Sequence, residues 1–386
     1  MAGLPVPPLV DHHCHGVERS ALSPASFESY LTESDAPAAP GTSFFDTQLG
    51  LAVRRWCAPL LDLPPHCPPQ EYLRRRSELG AAEATRRLLS ACGIAAFLVD
   101  TGIPGDLTGP AELAAAAGGG AVCHEVVRLE SLAERVADGA GSRAEFLGGL
   151  ADAVREGARD AVAFKSVAAY RYGLDFEPGP PGPAEVRAAA DRWLVARAAG
   201  GRLADPVLLR HLLWSAAQTG RPLQLHTGFG DPDLRLHRCD PLLLTDFVRA
   251  VRPTGCTLVL LHGYPYHRNA GFLAHSFPHV YADMGLSLTH TGARAGAVLA
   301  EMLELTPFGK LLFSTDAYGL PELYVVGTAL FRQALEGLLT GWVAEGAWSA
   351  ADAERVAALV AADNARRVYG LDVPGAAAPG RSSPFG

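Results

Sequence analysis

Five stretches of this chain carry side chains that could share one metal ion. The first, Leu9-Val10-Asp11-His12-His13-Cys14-His15, holds His13 and His15 two residues apart. On a β-strand, residues i and i+2 point to the same side, so both imidazoles would meet at one strand end. Lys165 lies in the apolar run Ala161–Ser166, His226 in Pro222–Gly228, His262 in Thr257–Gly263, and Asp316 closes Leu311–Asp316. Imidazole and carboxylate are the ligand types that suit Zn²⁺, Mn²⁺ or Fe²⁺. Each residue alone has a plainer explanation. A single strand-end histidine is more often a hydrogen-bonded structural residue, Lys165 could reach solvent along its apolar stem, and Asp316 could cap the following helix. Metal-competent groups on five runs otherwise built of Leu, Val, Phe and Ala point instead to one centre.

Such a centre needs a frame that brings strand ends together. Apolar runs with β character recur at Leu9–His15, Ala95–Asp100, Ala121–Leu129, Ala161–Ser166, Pro222–Gly228, Thr257–Gly263, His279–Met284 and Leu311–Asp316. Helical spacing fills Arg143–Ala158, Ala184–Ala199, Pro206–Thr219, 239–252, 267–276, 291–305 and 321–339, and 351–371 reads as a closing helix. Eight strands alternating with helices predict parallel βαβ units and a (β/α)8 TIM barrel, with a doubly wound open sheet as the other candidate. In a barrel, functional residues sit at the C-terminal strand ends.

Residues 20–90 are too long for an ordinary connection. They begin irregularly and continue with helical spacing over Thr47–Leu61 and Pro69–Ser90. This predicts a helical insertion after the first strand, a cap or dimer contact with Trp56 and Phe44–Phe45 as anchors. The domain reading is one barrel over 1–371 and a disordered tail at 372–386.

Composition limits the partners. A net charge of −8, with 41 acidic against 33 basic residues and no long basic run, excludes a nucleic-acid binder. No apolar stretch reaches membrane-spanning length, and the N-terminus lacks the pattern of a signal peptide. Seven cysteines without close pairing read as reduced thiols of a cytoplasmic protein. The abundance of Gly, Pro, Ala and Arg suggests a bacterial genome rich in G and C. The expected partner is a small-molecule substrate, with homo-oligomerisation open.

The chain resembles the amidohydrolase superfamily, in particular the branch related to aminocarboxymuconate-semialdehyde decarboxylase and to amidohydrolase domains fused to glutamine-synthetase-like domains. The resemblance rests on VDHHCH at 10–15, LVDTG at 98–102, EVVRLE at 125–130 and FKSVAAYRYGLD at 164–175. It continues through LQLHTGFGDPDLRL at 223–236, LLHGYPYHRNAGFLA at 260–274, FSTDAYGLPE at 313–322 and NARRVYGL at 364–371. It implies that His13, His15, His226 and Asp316 hold a divalent metal, zinc first and Mn²⁺ or Fe²⁺ next. His262 becomes a second-metal ligand, or a general acid/base or oxyanion donor. Lys165 becomes a carboxylated bridge between two ions, or a free ammonium for a substrate carboxylate. One ion is favoured and two remain open.

The expected activity is cleavage of an amide-type C–N bond by a metal-bound hydroxide, with Asp316 as general base and then acid. The substrate class is a small carboxylate-bearing molecule. A γ-glutamyl conjugate is suggested only by the association with glutamine-synthetase-like domains. The alternatives are non-oxidative decarboxylation of a small carboxylic acid on the same ligands, and a non-catalytic metal-stabilised protein. Arg128, Lys165, Tyr170, Arg171, His267 and Arg268 are the candidate substrate-binding residues, with Tyr264 and Tyr266 as further wall candidates. The competing reading pairs the cations with Asp100, Asp231, Asp233 or Glu322.

Overall fold

The computed structural model describes residues 6–371, so the expected tail at 372–386 lies outside the described residues. Eight strands appear in chain order: β1 (Leu9–Cys14), β2 (Ile94–Asp100), β3 (Val122–Arg128), β4 (Ala163–Ser166), β5 (Leu223–Thr227), β6 (Leu258–His262), β7 (Val280–Asp283) and β8 (Leu311–Leu312). Each pairs in parallel with the next. β8 is shorter than the sequence pattern predicts. Beyond it the backbone still closes the ring on β1, through His12 N–H to Phe313 O (3.3 Å) and Asp316 N–H to His13 O (3.1 Å). The fold is the (β/α)8 barrel, and the open-sheet alternative is excluded.

Side-chain alternation divides the strands into two apolar layers. Leu9, Phe97, Val99, Phe164, Leu223, Leu225, Leu258 and Leu260 pack outward beneath the helices. Val10, Ala96, Leu98, Val126, Ala163, Val259, Leu261 and Leu312 fill the interior and meet Ala362, Ala365, Tyr369 and Leu371. The closing helical segment thus plugs one end of the barrel, and the strand ends open at the other. That segment is not one uniform helix. It runs as Ala350–Ala358, a π turn at Leu359–Asp363, and Asn364–Tyr369.

The insertion is helical, as its spacing predicts, but in shorter pieces. Gln48–Trp56, Pro69–Leu79 and Ala81–Ala91 are α-helices, and the break between the last two falls at Gly80, φ 79°. The irregular first half contains a single helical turn or so, Pro24–Glu28, followed by Ser29–Leu31. Phe27 and Phe45 stack with centroids 5.7 Å apart, and Phe27 also meets Tyr72. Of the expected anchors Phe45 is buried, whereas Phe44 and Trp56 are only partly so. Among the described residues no helix is long and apolar enough to cross a membrane.

Candidate metal centre

The strand-end side chains converge. His13 Nε2 and His15 Nε2 lie 3.2 and 3.3 Å from Asp316 Oδ1, and His262 Nε2 lies 3.3 Å from Asp316 Oδ2. The His226 ring packs 4.9 Å from that of His262. Lys165 Nζ stands 3.1 Å from His13 Nε2. Ligand atoms of His13, His15 and Asp316 all fall within 4.8 Å of one another.

Two local distortions bring these groups together. Between Asp11 and Cys14, β1 advances three residues while β2 advances two, from Phe97 to Val99. This bulge breaks the alternation, so His12 and His13, though adjacent, both reach interior partners. The second distortion is at His262. Alternation along β6 would send it outward after the inward Leu261, yet its φ of 69° turns the chain and the imidazole comes in. A left-handed non-glycine residue costs about 1–3 kcal/mol and persists only where neighbours fix it. Here Asp283 Oδ1 accepts the His262 N–H at 2.5 Å, and Ser287 Oγ donates to the His262 carbonyl at 2.7 Å. Gly285 leaves the ring its room, since a Cβ there would stand 3.1 Å from His262 Nδ1 and run into Ser314 Oγ. Asp316 is the other left-handed site residue, at φ 51°.

The histidines are oriented from behind. His13 Nδ1 bonds Gln224 Oε1 at 2.8 Å, and His15 Nδ1 bonds the Asp100 carbonyl at 3.0 Å. Both carry the proton on Nδ1, which leaves the Nε2 lone pairs facing Asp316. Deeper in the barrel, His12 bonds Asp283 Oδ2 (3.0 Å) and the Tyr369 hydroxyl (3.0 Å), and Ser314 Oγ donates to the same Asp283 oxygen at 2.5 Å.

Burial holds His13, His226 and His262 below the ordinary imidazole pKa, His13 at about 3, and the Lys165 charge lowers His13 and His226 further. Burial alone would raise Asp316. The surrounding imidazoles, His262 first and then His13 and His15, outweigh it and hold the carboxylate well below its usual range. Lys165, desolvated in the interior, falls to about 8.

This donor set fits a divalent cation. His226 Nε2 and both ring nitrogens of His262 are buried without a hydrogen-bond partner among the described residues. Neutral imidazoles with free lone pairs beside an ionised carboxylate leave a desolvation cost that a cation offsets.

A cavity of about 980 Å³ opens above the centre, lined by His15, Lys165, His226, Asp316, Tyr170 and Tyr318 among others. The first part of the insertion forms one side of it, including Tyr30, Glu33 and Phe44. Glu33 reaches His290 at 3.4 Å, and Tyr30 donates to Glu18 at 2.9 Å. Tyr170 lies against His226, centroids 4.5 Å apart, in space kept open by Gly230, where a Cβ would collide with the tyrosine hydroxyl.

The expected substrate-binding residues divide. Arg128, Lys165, Tyr170 and Arg171 line the cavity. Arg128 spends Nε and Nη2 on Asp100 Oδ2 at 2.9 and 2.6 Å, which is the competing reading made for it. His267 and Arg268 do not reach the cavity. They begin the helix His267–Ser276, whose first turn faces a neighbouring helix, so His267 bonds Glu301 at 2.6 Å and Arg268 bonds Glu304 at 2.9 and 3.0 Å. Tyr264 likewise stacks on His267 and meets Phe229 edge-on rather than forming the wall. The strand-end reading passed over Gln224, Asp283, Asp100 and His12. The same rule could have found the first three, since each is a polar residue on an otherwise apolar strand.

Comparison with known proteins agrees with the fold. The Emericella nidulans protein fluG is 35% identical over 236 residues, covering 58% of this chain and 27% of that protein, so the chain spans about a quarter of its relative. A candidate metal-dependent hydrolase from Lactobacillus casei superposes with a TM-score of 0.79 at 27% identity, over 95% of this chain and 96% of that one. Uronate isomerase from Thermotoga maritima shares the fold at 14% identity, TM-score 0.60, over 94% of each chain. The amidohydrolase family matches residues 104–371, more than half of the sequence, and the chain belongs to that family.

Proposed function

We propose that this chain is a metal-dependent hydrolase that cleaves an amide-type C–N bond in a small substrate. The observation that carries this reading is the ionised Asp316 shared by three imidazoles at the base of the cavity, one of which, His262, has both ring nitrogens buried without a hydrogen bond among the described residues. His13, His15 and His226 would hold the ion through Nε2, with Asp316 as the fourth donor. Zinc is the first choice and Mn²⁺ or Fe²⁺ the next. A bound divalent ion would supply Lewis acidity and lower the pKa of water to about 7.

The protein residues do the rest. Asp316 is placed to take a proton from the attacking water and return it to the departing nitrogen. His262 Nε2, 3.3 Å from Oδ2, orients that carboxylate and is positioned to hydrogen-bond the oxygen that gains charge in the tetrahedral state. Tyr170 and the insertion around Tyr30 form part of the cavity wall. One ion per chain is favoured, because among the described residues only His13, His15 and Asp316 form a compact group of three donors. Two ions on metal analysis would assign Lys165 and His262 to a second site.

The test is to incubate metal-loaded protein with γ-glutamyl amides and with aromatic or enol carboxylic acids, following amine and CO₂ release. Amine release supports the hydrolase. CO₂ without amine replaces it by the decarboxylase.

A further inference from the structure

Arg171 is the cavity-lining arginine whose hydrogen-bond donors are left over. It ends the short helix Ala168–Arg171 beyond β4, and its side chain is only 9% exposed. Its Nε and Nη1 are buried with no hydrogen-bond partner among the described residues. Its nearest carboxylate, Glu134, stands 3.7 Å from Nη2, too far for a hydrogen bond. Glu134 is also engaged elsewhere, accepting the Leu203 N–H at 2.8 Å and lying 3.9 Å from Arg197. The other cations of the wall differ. Arg128 is paired with Asp100, Arg202 is tied to Asp233 at 2.5 Å, and Lys165 belongs to the metal centre.

A guanidinium removed from water without partners costs free energy that a bound anion recovers. Its planar fork matches a carboxylate in two-point contact. Elsewhere the cavity wall discourages an anion, since Glu28, Glu33 and Asp35 of the insertion line it.

We infer that Arg171 is an anion subsite for a carboxylate the substrate carries away from the bond that breaks. The substrate class narrows to amides that keep a free, remote carboxylate. The word substrate rests on the hydrolase reading, but the subsite itself does not.

Equilibrium binding of glutarate and of valerate to the metal-loaded protein tests this. The two probes have the same carbon count and differ by one carboxylate. Wild type is expected to bind glutarate at least about tenfold tighter than valerate. Arg171→Gln should shrink that gap to under about twofold with metal content unchanged. Glu134→Gln keeps an amide oxygen for the Leu203 N–H and removes a competing charge, so it should widen the gap. Equal binding of the two probes by wild type, or an unchanged gap in Arg171→Gln, overturns the subsite. If Arg171→Gln does not fold, an unchanged gap in Glu134→Gln overturns it instead. An Arg171-dependent gap in a protein that hydrolyses no amide keeps the subsite and removes the hydrolase reading. Amide hydrolysis indifferent to both the remote carboxylate and Arg171→Gln does the reverse.

Discussion

Gln224 and His13 face each other across the barrel interior, the imidazole Nδ1–H donating to the amide oxygen at 2.8 Å. The other end of the same amide donates to the His12 carbonyl at 2.8 Å and to the Tyr369 hydroxyl at 2.9 Å. One side chain therefore ties the orientation of a candidate ligand to the helix that plugs the barrel floor. Tyr369→Phe leaves His13 and its partner in place but removes a hydroxyl that also bonds His12. It should weaken metal binding modestly, whereas Gln224→Leu, which frees the His13 ring, should weaken it about 10–100-fold. Chelator competition measures both. Equal affinity in wild type and Gln224→Leu would remove Gln224 from the site.

Asp316 combines a chemical and a conformational demand. At φ 51° it sits where aspartate and asparagine are tolerated better than other side chains. Asp316→Asn should therefore keep the fold and most of the metal while losing on the order of 10²–10⁴ in rate, if the carboxylate moves the proton. Asp316→Ala adds backbone strain and should also melt earlier. An Asp316→Asn enzyme with undiminished turnover would exclude the proton role.

The buried histidines set a dependence on pH. His13, His226 and His262 in the centre, and His124, His211 and His279 outside it, are all held below the ordinary imidazole value, first by burial. Between the lowered folded value and about 6.5, the unfolded chain binds more protons, so stability rises with pH there and falls as the pH drops below about 6.5. Metal binding requires the neutral rings and shifts that loss to lower pH. Melting temperatures of metal-free and metal-loaded protein from pH 7.5 to 5 should diverge, the metal-free curve declining first. Superimposable curves would contradict a metal held by these imidazoles.

Much of this was legible in the sequence because a parallel barrel is periodic. Apolar runs with polar residues at their ends gave all eight strands, and they gave Lys165, His226 and Asp316 on inward-facing positions. What escaped was every departure from the period. The extra residue in β1 turns His13 and His15 inward where alternation from Val10 would send them out, and no pattern of residue types marks a bulge. His262 stands at its strand end, yet simple alternation points it away, and only its left-handed φ brings it in. His267 and Arg268 show the opposite failure. They stand just beyond a strand end, but the first turn of a helix can face either the mouth or a neighbour, and Glu301 and Glu304 draw them to the neighbour. The wall built by 24–44 had no periodic signal to read.

The attachment of the insertion gives a prediction of stability rather than chemistry. Glu322, fully buried at the start of the helix Pro321–Ala344, accepts from Arg76 Nε at 2.6 Å and from the Tyr72 hydroxyl at 3.0 Å, both on the insertion helix Pro69–Leu79. Removing one partner of a buried pair strands the other charge and costs about 3–5 kcal/mol. Arg76→Met should therefore destabilise the protein by about that much. The double variant Arg76→Met/Glu322→Gln should regain part of the loss, because no bare carboxylate remains in the interior. Denaturant unfolding of the three proteins decides the matter. If Arg76→Met alone costs less than about 1 kcal/mol, Glu322 has found water or another donor, and the insertion is held by the Phe27, Phe45 and Tyr72 packing instead.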